Sequence, residues 1–198
     1  MPEVQHTLID MRLNARGVRD TARSLPRCPN PVRRALQKQA TALETVNASV
    51  LRPLNPAEVA WNLERAGEAE MDELWSFVGN KGHPRWLWQA IEPHTGNVLA
   101  SVCGRRTDEV LLQRKALLEP CGLSRYSTDH WGAYTRHLAP DVHSPGNRHP
   151  QKIARKHLTL RTRMKRLVRK PIGFSQTPQR HDIVIGLFVN RYAFGRAV

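Results

Sequence analysis

Hydrophobic residues follow one spacing before Gly67 and another after it. Before Gly67, apolar side chains recur every three or four residues, which predicts three short helices between Val4 and Leu43. The third opens at Asn30 and Pro31, because asparagine is a good N-cap and proline is tolerated at the first helical position. Prolines then mark a linker, and a short helix, 56–66, leads into the rest of the chain.

After Gly67 the period changes to that of strands. Three short runs rich in Trp, Val and Leu, separated by turn residues, predict a meander: Met71 to Val78, Arg85 to Glu92 and Val98 to Arg105. A fourth predicted strand, Ser124 to Thr128, ends at Asp129. The remaining segments are a helix capped by Thr107 and running to Leu118, a short helix from Trp131 to Leu138, a loop from Asp141 to Pro150, a helix from Gln151 to Arg169, and an apolar helix or strand from Asp182 to Phe194.

Three antiparallel strands, a helix, a further strand and more helices are the order of a ribonuclease-H-like α/β fold, a mixed sheet with flanking helices. The short helices ahead of it resemble a helix-turn-helix DNA reader, a small all-α domain whose third helix would present Arg33, Arg34 and Lys38 to the groove. An ordinary helical bundle with solvated arginines fits the same pattern. The predicted organisation is a helix-turn-helix region over 1–44, a linker with a short helix over 45–67, and a ribonuclease-H-like domain over 68–198.

The chain has 31 Lys and Arg residues against 17 Asp and Glu, a formal net charge of +14 at pH 7. A positive field of this size attracts a polyanion by releasing its condensed counterions, so nucleic acid is the favoured partner. A membrane is not expected as a partner, since the longest apolar run, Ile183 to Val189, is far shorter than the roughly 20 residues of a spanning helix. Cys28, Cys103 and Cys121 form no Cys-x-x-Cys pair, which fits a reducing cytoplasm.

Two aspartates stand where a ribonuclease-H-like domain carries the first two acids of a metal site. Asp72 lies within the first predicted strand and Asp129 at the end of the fourth. Phosphodiester chemistry at such a site uses two magnesium ions about 4 Å apart, which carboxylates hold. The third acid of the fold lies on a later helix, where this chain has Ala154. No Asp or Glu occurs between Val142 and His181.

Two other acids are candidates for the missing third ligand, Glu73 and Asp182. Glu73 directly follows Asp72, but successive side chains of a strand point to opposite faces, so Glu73 is expected to turn away from Asp72. Asp182 lies beyond the basic helix and would approach only if the terminal segment folded back.

Histidines and tryptophans near these acids allow two interpretations each. His130 and His157 fit either the orientation of metal ligands or the attacking hydroxyl, or a structural or solvent-facing role. The tryptophans of the meander, Trp75, Trp86 and Trp88, are expected in the core rather than in base stacking, whereas Trp131, which follows the second acid closely, is expected to line the site.

The predicted helix from Gln151 to Arg169 has a core stripe and a basic remainder. Its core stripe is Ile153, Leu160, Met164 and Leu167, and the row beside it is Ala154, Leu158 and Arg161. The basic side chains expected to contact DNA phosphates are Arg155, Lys156, Arg161 and Lys165. The others, Arg163, Arg166, Arg169 and Lys170, fit a solvated face equally well.

Taken together, these motifs resemble the transposases of the insertion sequence 1 family, which are DDE-type enzymes. The segments that carry the resemblance are Gly17 to Arg23, Glu70 to Gly79, Arg85 to Leu87, Thr128 to Trp131, Gln151 to Ile153, Leu158 to Arg161 and His181 to Gly186. Family members have Glu where this chain has Ala154, and a proline-rich turn here replaces the usual one before the third helix. The zinc-binding segment that precedes the reader in the family is not expected in this chain.

The resemblance implies a transposase that binds the terminal inverted repeats of an insertion sequence and target DNA, both double-stranded. It implies cleavage and transfer of DNA strands with Mg²⁺ or Mn²⁺ held by the catalytic Asp72 and Asp129. It also implies a homo-oligomer assembled on DNA, in the bacterial cytoplasm and associated with the nucleoid. With Ala154 in the third place, impaired catalysis is expected, and the alternative is an inactive DNA-binding remnant that represses transposition.

Overall fold

The computed structural model describes residues 29–45, 67–146, 151–168 and 174–195, together with residues 7 and 11. Apart from residues 7 and 11, the first two predicted helices of the DNA reader lie outside the described residues, as does the predicted helix over 56–66. The chain forms two compact units. The first takes its described residues from 1–44, 76–84 and 158–198, and the second takes its own from 45–75 and 85–157.

A mixed five-stranded sheet has the strand order β3-β2-β1-β4-β5. The strands are β1 (Glu68–Val78), β2 (Asn80–Ile91), β3 (Val98–Gly104), β4 (Arg125–Thr128) and β5 (His143–Pro145). Strands β2 and β3 pair antiparallel, whereas β4 pairs parallel with both β1 and β5. Only Gly79 separates β1 from β2, and its φ of 74° is in the left-handed region that glycine adopts without strain. This mixed sheet with flanking helices is compatible with the predicted ribonuclease-H-like fold.

Five α-helices occur in the described part of the chain. They are α1 (Pro29–Ala40), α2 (Asp108–Leu118), α3 (Gly132–His137), α4 (Gln151–Arg163) and α5 (Pro178–Tyr192). The C-terminal segment, predicted as helix or strand, is helical. It begins where the Thr177 hydroxyl accepts a hydrogen bond from the Arg180 backbone N–H and Pro178 occupies the first turn. Within the described ranges, no helix combines the length and the apolar character needed to span a bilayer.

Several predicted boundaries are wrong, and one strand was not predicted. Strand β2 begins at Asn80 and helix α5 at Pro178, ahead of the predicted starts at Arg85 and Asp182. Helix α4 ends at Arg163 and not at Arg169, because Met164 adopts an extended conformation before the 3₁₀ turn Lys165–Leu167. Strand β5 lies inside the segment predicted as a loop. A strand of three residues is too short to show a period of two, so its pairing with β4 determines it rather than its own side chains.

The core of the second unit lies between the sheet and helices α2 and α3. Trp88, Leu99, Leu111 and Tyr134 are among its buried members. Helix α2 approaches β3 closely at Gly104, where a Cβ atom would come within 2.7 Å of the Val110 side chain. Met71 of β1 belongs to this core, so the alternating residues of β1 on the same side face helices α2 and α3.

In the first unit, α1 and the residues after it pack against α5. The Asn190 side chain accepts a hydrogen bond from the Glu44 backbone N–H at 3.0 Å and donates one to the Glu44 carbonyl at 2.9 Å. A Cβ atom at Gly186 would lie 2.7 Å from Leu43, so a glycine permits this close approach. These contacts anchor the end of α1, and the predicted helix-turn-helix is not confirmed by them.

Candidate active site

The parallel register of β1 and β4 brings the two predicted acids together. Glu70 of β1 lies opposite Ser127 of β4, and two further steps along both strands lead to Asp72 and Asp129. The side chains of Asp72 and Asp129 are 36% and 37% exposed, so solvent and ions can reach both carboxylates. Each carboxylate is also oriented by the backbone. Asp72 accepts a hydrogen bond from the Glu73 N–H at 2.8 Å, and Asp129 accepts one from the Trp131 N–H at 2.9 Å.

Glu73 joins this pair, which corrects the prediction that it turns away from Asp72. One carboxylate oxygen each of Asp72, Glu73 and Asp129 lies within 4.8 Å of the other two. Strand alternation fixes only the direction of each Cα–Cβ bond. The long glutamate side chain, and the Asp72 carboxylate that bends back onto the Glu73 N–H, together close the distance.

A buried ionic network holds Glu73. Its side chain is 1% exposed and contacts the guanidinium groups of Arg106 at 3.2 Å and Arg114 at 3.8 Å, and the Tyr134 hydroxyl donates a hydrogen bond to it. Burial raises the pKa of Glu73, although Arg114, Tyr134 and Arg106 oppose that rise. Burial also raises the pKa of Tyr134 far above its ordinary value, so its hydroxyl remains a donor.

Arg106 connects Glu73 to Asp129. One nitrogen of its guanidinium lies 3.2 Å from a Glu73 oxygen and 3.1 Å from an Asp129 oxygen. The guanidinium carbon lies 5.1 Å from the centre of the Trp86 ring and 4.8 Å from that of Trp131, distances typical of cation–π contacts. Trp131 therefore borders the site as predicted. Sequence reasoning missed Arg106, because no motif marks an arginine just ahead of a helix cap.

Tryptophan placement on the meander agrees in part with the sequence prediction. Trp88 is fully buried in the core, and its ring is tilted by 57° against that of Trp131, at 5.4 Å between centroids. Trp86 is half-buried and packs against the same core while covering Arg106. Trp75 is also half-buried. These rings pack within the protein, which favours the core interpretation over base stacking for Trp88.

His157 approaches Asp72 from helix α4. The residue is 7% exposed, and its Nδ1 atom lies 3.4 Å from an Asp72 carboxylate oxygen. Burial alone would raise the pKa of Asp72, but the His157 ring, the Glu73 N–H and Arg114 outweigh burial and lower the pKa below its ordinary value. Asp72 is therefore an anion at neutral pH, as a cation ligand must be.

Helix α4 carries the predicted core stripe. Ile153 and Leu160, with Met164 and Leu167 just beyond the helix, are buried as predicted. His157 belongs to the same buried stripe, a position that the sequence analysis did not assign to it. Ala154 and Leu158 in the neighbouring row are exposed. The alanine side chain is a methyl group, so position 154 has no side-chain atom that could bind a cation.

Basic side chains cover much of the rest of α4 and its C-terminal turn. Exposed ones are Lys152, Arg155, Lys156, Arg163 and Lys165, and Arg161 is half-buried. On α1, Arg34 and Lys38 are exposed, whereas the side chain of Arg33 lies outside the described part of the chain. Asp182, the other candidate for the third ligand, lies on α5 in the first unit, and its approach to the site stays a prediction.

The donor set fits a hard divalent cation. Asp72 and Asp129 supply partly exposed carboxylate oxygens, the ligands that Mg²⁺ prefers. Carboxylates clustered on the central strands of a mixed sheet, in a strongly basic chain, are typical of metal-dependent enzymes that act on nucleic acids.

Comparison with known proteins specifies the family. The family model described as IS1 transposase matches residues 68–195. The chain is 46% identical over 125 residues to the insertion element iso-IS1n protein InsB of Shigella dysenteriae, covering 63% of this chain and 95% of that protein. It is 36% identical over 144 residues to the insertion element IS1 9 protein InsB of Escherichia coli strain K12, covering 71% and 86%.

The chain belongs to the IS1 transposase family, as the motifs of the sequence predicted. Members of this family are generally DDE-type transposases, which generally use divalent metal ions. Family membership implies DNA as the substrate.

Proposed function

We propose that this chain is a DNA transposase that binds the terminal inverted repeats of an insertion sequence and cleaves and transfers strands to target DNA, with activity weakened by Ala154. The observation that carries the proposal is the convergence of Asp72 and Asp129, whose carboxylates lie in one acidic cluster although they are far apart in the chain. The match to the family over 68–195 supports the same conclusion.

Asp72 and Asp129 are proposed to hold Mg²⁺ or Mn²⁺, which would neutralise developing charge on the scissile phosphate and activate the attacking oxygen. Neighbouring residues orient the Asp129 carboxylate and favour the ionised form of Asp72. Arg106 orients the Asp129 carboxylate from one side, and the Trp131 N–H fixes its other oxygen. On Asp72, His157 and the Glu73 N–H favour the ionised form.

The DNA surface is proposed to include the basic side chains along α4. Arg155 and Lys156 are exposed on this helix, and Arg161 and Lys165 follow toward its end. With a formal net charge of +14, such contacts would make binding strongly dependent on salt. For α1, we propose the recognition helix of a reader domain over 1–44, with Arg33, Arg34 and Lys38 toward the DNA.

This proposal also divides the chain at the predicted positions. Residues 45–67 would act as the linker, and 68–198 as the catalytic domain. Assembly on paired element ends would make the active form a homo-oligomer, in the bacterial cytoplasm at the nucleoid.

A second function follows from Ala154. If the missing acid abolishes turnover, the chain would still occupy element ends through its basic surfaces and repress transposition. The absence of any Asp or Glu from Val142 to His181 favours this alternative, since helix α4 has no other carboxylate to offer.

One experiment separates the two functions. Nicking of terminal-repeat DNA is measured with Mg²⁺ and with Mn²⁺ for the natural chain and for Ala154→Glu. We expect weak nicking by the natural chain and roughly a 100-fold gain in Ala154→Glu, because a charged ligand returns to the site. The matched control is Leu158→Glu, which adds an acid at a position on the same row that is 61% exposed and should restore nothing.

The outcomes are distinct. If neither the natural chain nor Ala154→Glu cuts while both bind the repeats, the transposase proposal fails and the repressor stands. If DNA binding does not weaken with rising salt, the proposed phosphate-contacting surface fails instead.

A further inference from the structure

We propose that Arg106 regulates cation binding at the candidate active site. Its guanidinium competes with a divalent cation for the Asp129 carboxylate, and a DNA phosphate relieves this competition by binding the guanidinium instead. Cation and DNA then bind cooperatively. The inference rests on the proposed function, since it takes Asp129 as a cation ligand and DNA as the substrate, and it adds a regulatory residue to that site.

The position of the Arg106 guanidinium is the first observation. One carboxylate oxygen each of Asp72, Glu73 and Asp129 lies within 4.8 Å of the other two. Carboxylates this close repel one another unless positive charge lies beside them. One nitrogen of Arg106 supplies that charge, 3.2 Å from Glu73 and 3.1 Å from Asp129. The guanidinium therefore neutralises part of the charge that a divalent cation would neutralise, and the two compete for Asp129.

The second observation is that the guanidinium is incompletely paired. In the described part of the chain, its contacts with carboxylates come from a single nitrogen, and its buried Nε atom has no hydrogen-bond partner. A strongly bound arginine often donates two parallel N–H bonds to one carboxylate. The Arg106 side chain is also 31% exposed. It can therefore leave Asp129 without breaking a paired set of hydrogen bonds.

Arg114 shows how a permanent counter-charge is held in the same unit. It is fully buried, and it donates hydrogen bonds to the Gln89 carbonyl at 3.1 Å and to the Tyr134 hydroxyl at 2.6 Å. Its guanidinium lies 3.8 Å from Glu73. Glu73 therefore keeps a buried cation beside it when Arg106 moves away, so the movement leaves no unpaired charge in the interior.

Asp129 is the carboxylate that becomes available when Arg106 moves. Its side chain is 37% exposed, so a cation can reach it from solvent. Among the described residues it keeps the hydrogen bond from the Trp131 N–H at 2.9 Å. An ionised carboxylate has about four acceptor sites, so it can keep that bond and still bind a cation.

A DNA phosphate is the anion best suited to bind the displaced guanidinium. Acids are scarce in this chain, with 17 Asp and Glu residues against 31 Lys and Arg. The planar guanidinium matches the oxygens of a phosphate as well as those of a carboxylate. If a phosphate binds Arg106 and thereby opens Asp129 to a cation, each ligand raises the affinity of the other by the same factor.

The test measures Mn²⁺ binding to the full chain from the electron paramagnetic resonance signal of free Mn²⁺. It is made without DNA and with a terminal-repeat duplex, and the duplex alone serves as the blank. Without DNA, we expect Arg106→Gln to bind Mn²⁺ about tenfold more tightly than the natural chain, because the competing charge is absent. With the duplex, the natural chain should gain about tenfold in Mn²⁺ affinity, and Arg106→Gln only about twofold.

The matched control is Arg125→Gln, which removes the same charge from the same unit. Arg125 pairs with Glu68 at 3.3 Å, and both side chains are largely exposed. Glu68 precedes Asp72 by four residues on β1, a separation of about 13 Å along a strand. That separation exceeds the screening length of about 10 Å at 0.1 M salt. We expect Arg125→Gln to bind Mn²⁺ within about twofold of the natural chain, with the same gain from DNA.

Two results would overturn the inference and leave the proposed metal site intact. One is an Arg106→Gln variant that binds Mn²⁺ no more tightly than the natural chain, and the other is an equal gain from DNA in both. If neither protein binds Mn²⁺, the inference fails together with the metal centre of the proposed function.

The natural chain gives a second measurement if Arg106→Gln does not fold. Arg106 lies over the Trp86 and Trp131 rings, so its departure should change the tryptophan fluorescence when Mg²⁺ binds. Mg²⁺ binding detected by calorimetry without any change in fluorescence would overturn the inference. A change that follows the calorimetric binding curve would support it.

Discussion

Asp72 and Glu73 are adjacent on one strand, yet their surroundings differ in almost every respect. Glu73 is enclosed by two arginines and a tyrosine, and burial raises its pKa. Asp72 remains 36% exposed, contacts one imidazole, and has a lowered pKa. The comparison shows that residue type alone does not assign a role to a carboxylate. Enclosure commits Glu73 to partners within the protein, and partial exposure leaves Asp72 available to an ion.

The largest expected effect is on folding stability when Glu73 is removed. In Glu73→Ala the guanidinium of Arg114, which is fully buried, loses its carboxylate partner, and we expect a loss of about 3–5 kcal/mol in the free energy of unfolding. Urea denaturation measures this loss. The matched control is Glu68→Gln, at an exposed ion pair with Arg125, which should lose at most about 1 kcal/mol. Equal losses in both variants would contradict the structural role of Glu73.

The second prediction concerns Asp72. In Asp72→Asn we expect Mn²⁺ affinity and nicking to fall by on the order of 100-fold, because an anionic ligand becomes a neutral amide. The free energy of unfolding should change far less than in Glu73→Ala, since the Asp72 side chain is partly exposed. Calorimetric titration with Mn²⁺ and urea denaturation give the two quantities. A variant that loses stability but keeps its Mn²⁺ affinity would reverse the assignment.

A third prediction tests Arg106, which joins the two environments. Arg106→Lys keeps a positive charge but loses the planar group between Trp86 and Trp131, and we expect a loss of about 1 kcal/mol in stability. The tryptophan fluorescence spectrum should shift, because the contact with both rings changes. Unchanged fluorescence together with unchanged stability would show that the guanidinium does not stack there in solution.

The smallest expected effect is a difference in pH dependence. The folded-state pKa of Glu73 lies above its ordinary 4.5, so its contribution to stability is present below that value and is lost as pH rises through the raised pKa. The pKa of Asp72 lies below its ordinary 3.8, so its contribution is present above that value and is lost as pH falls. Relative to the natural chain, the stability deficit of Glu73→Gln should shrink with rising pH, and that of Asp72→Asn should grow.

Denaturation curves across the acidic range check these slopes. If the stability deficits of the two variants changed with pH in the same direction, the two neighbouring carboxylates would share one environment. That result would contradict the opposite pKa shifts of Asp72 and Glu73.

Several elements were predictable because local sequence carries their signal. The strands around Asp72, the helix Asp108–Leu118 and the core stripe Ile153, Leu160, Met164 follow from periodicity, and the structure agrees. The proximity of Asp72 and Asp129 was predictable once the strand order was assumed. Strands β1 and β4 are parallel neighbours, and their register places the two aspartates side by side.

Other features had no local signal. Strand β5 was missed because three residues show no period, and its pairing with β4 creates it. The prediction for Glu73 failed because alternation describes Cβ directions, whereas the position of a carboxylate depends on the whole side chain and its partners. Arg106 and Tyr134 come from separate elements and meet Glu73 only after folding.

The amino-acid sequence by itself determined the family, most of the order of strands and helices, the excess of positive charge and the absence of a carboxylate at position 154. These properties are local or additive, so they can be read along the chain. Only the tertiary structure decided which of two adjacent acids is enclosed and which is open, and which side chain of α4 faces Asp72. Those outcomes depend on burial and on partners distant in sequence, and both exist only when the chain is folded.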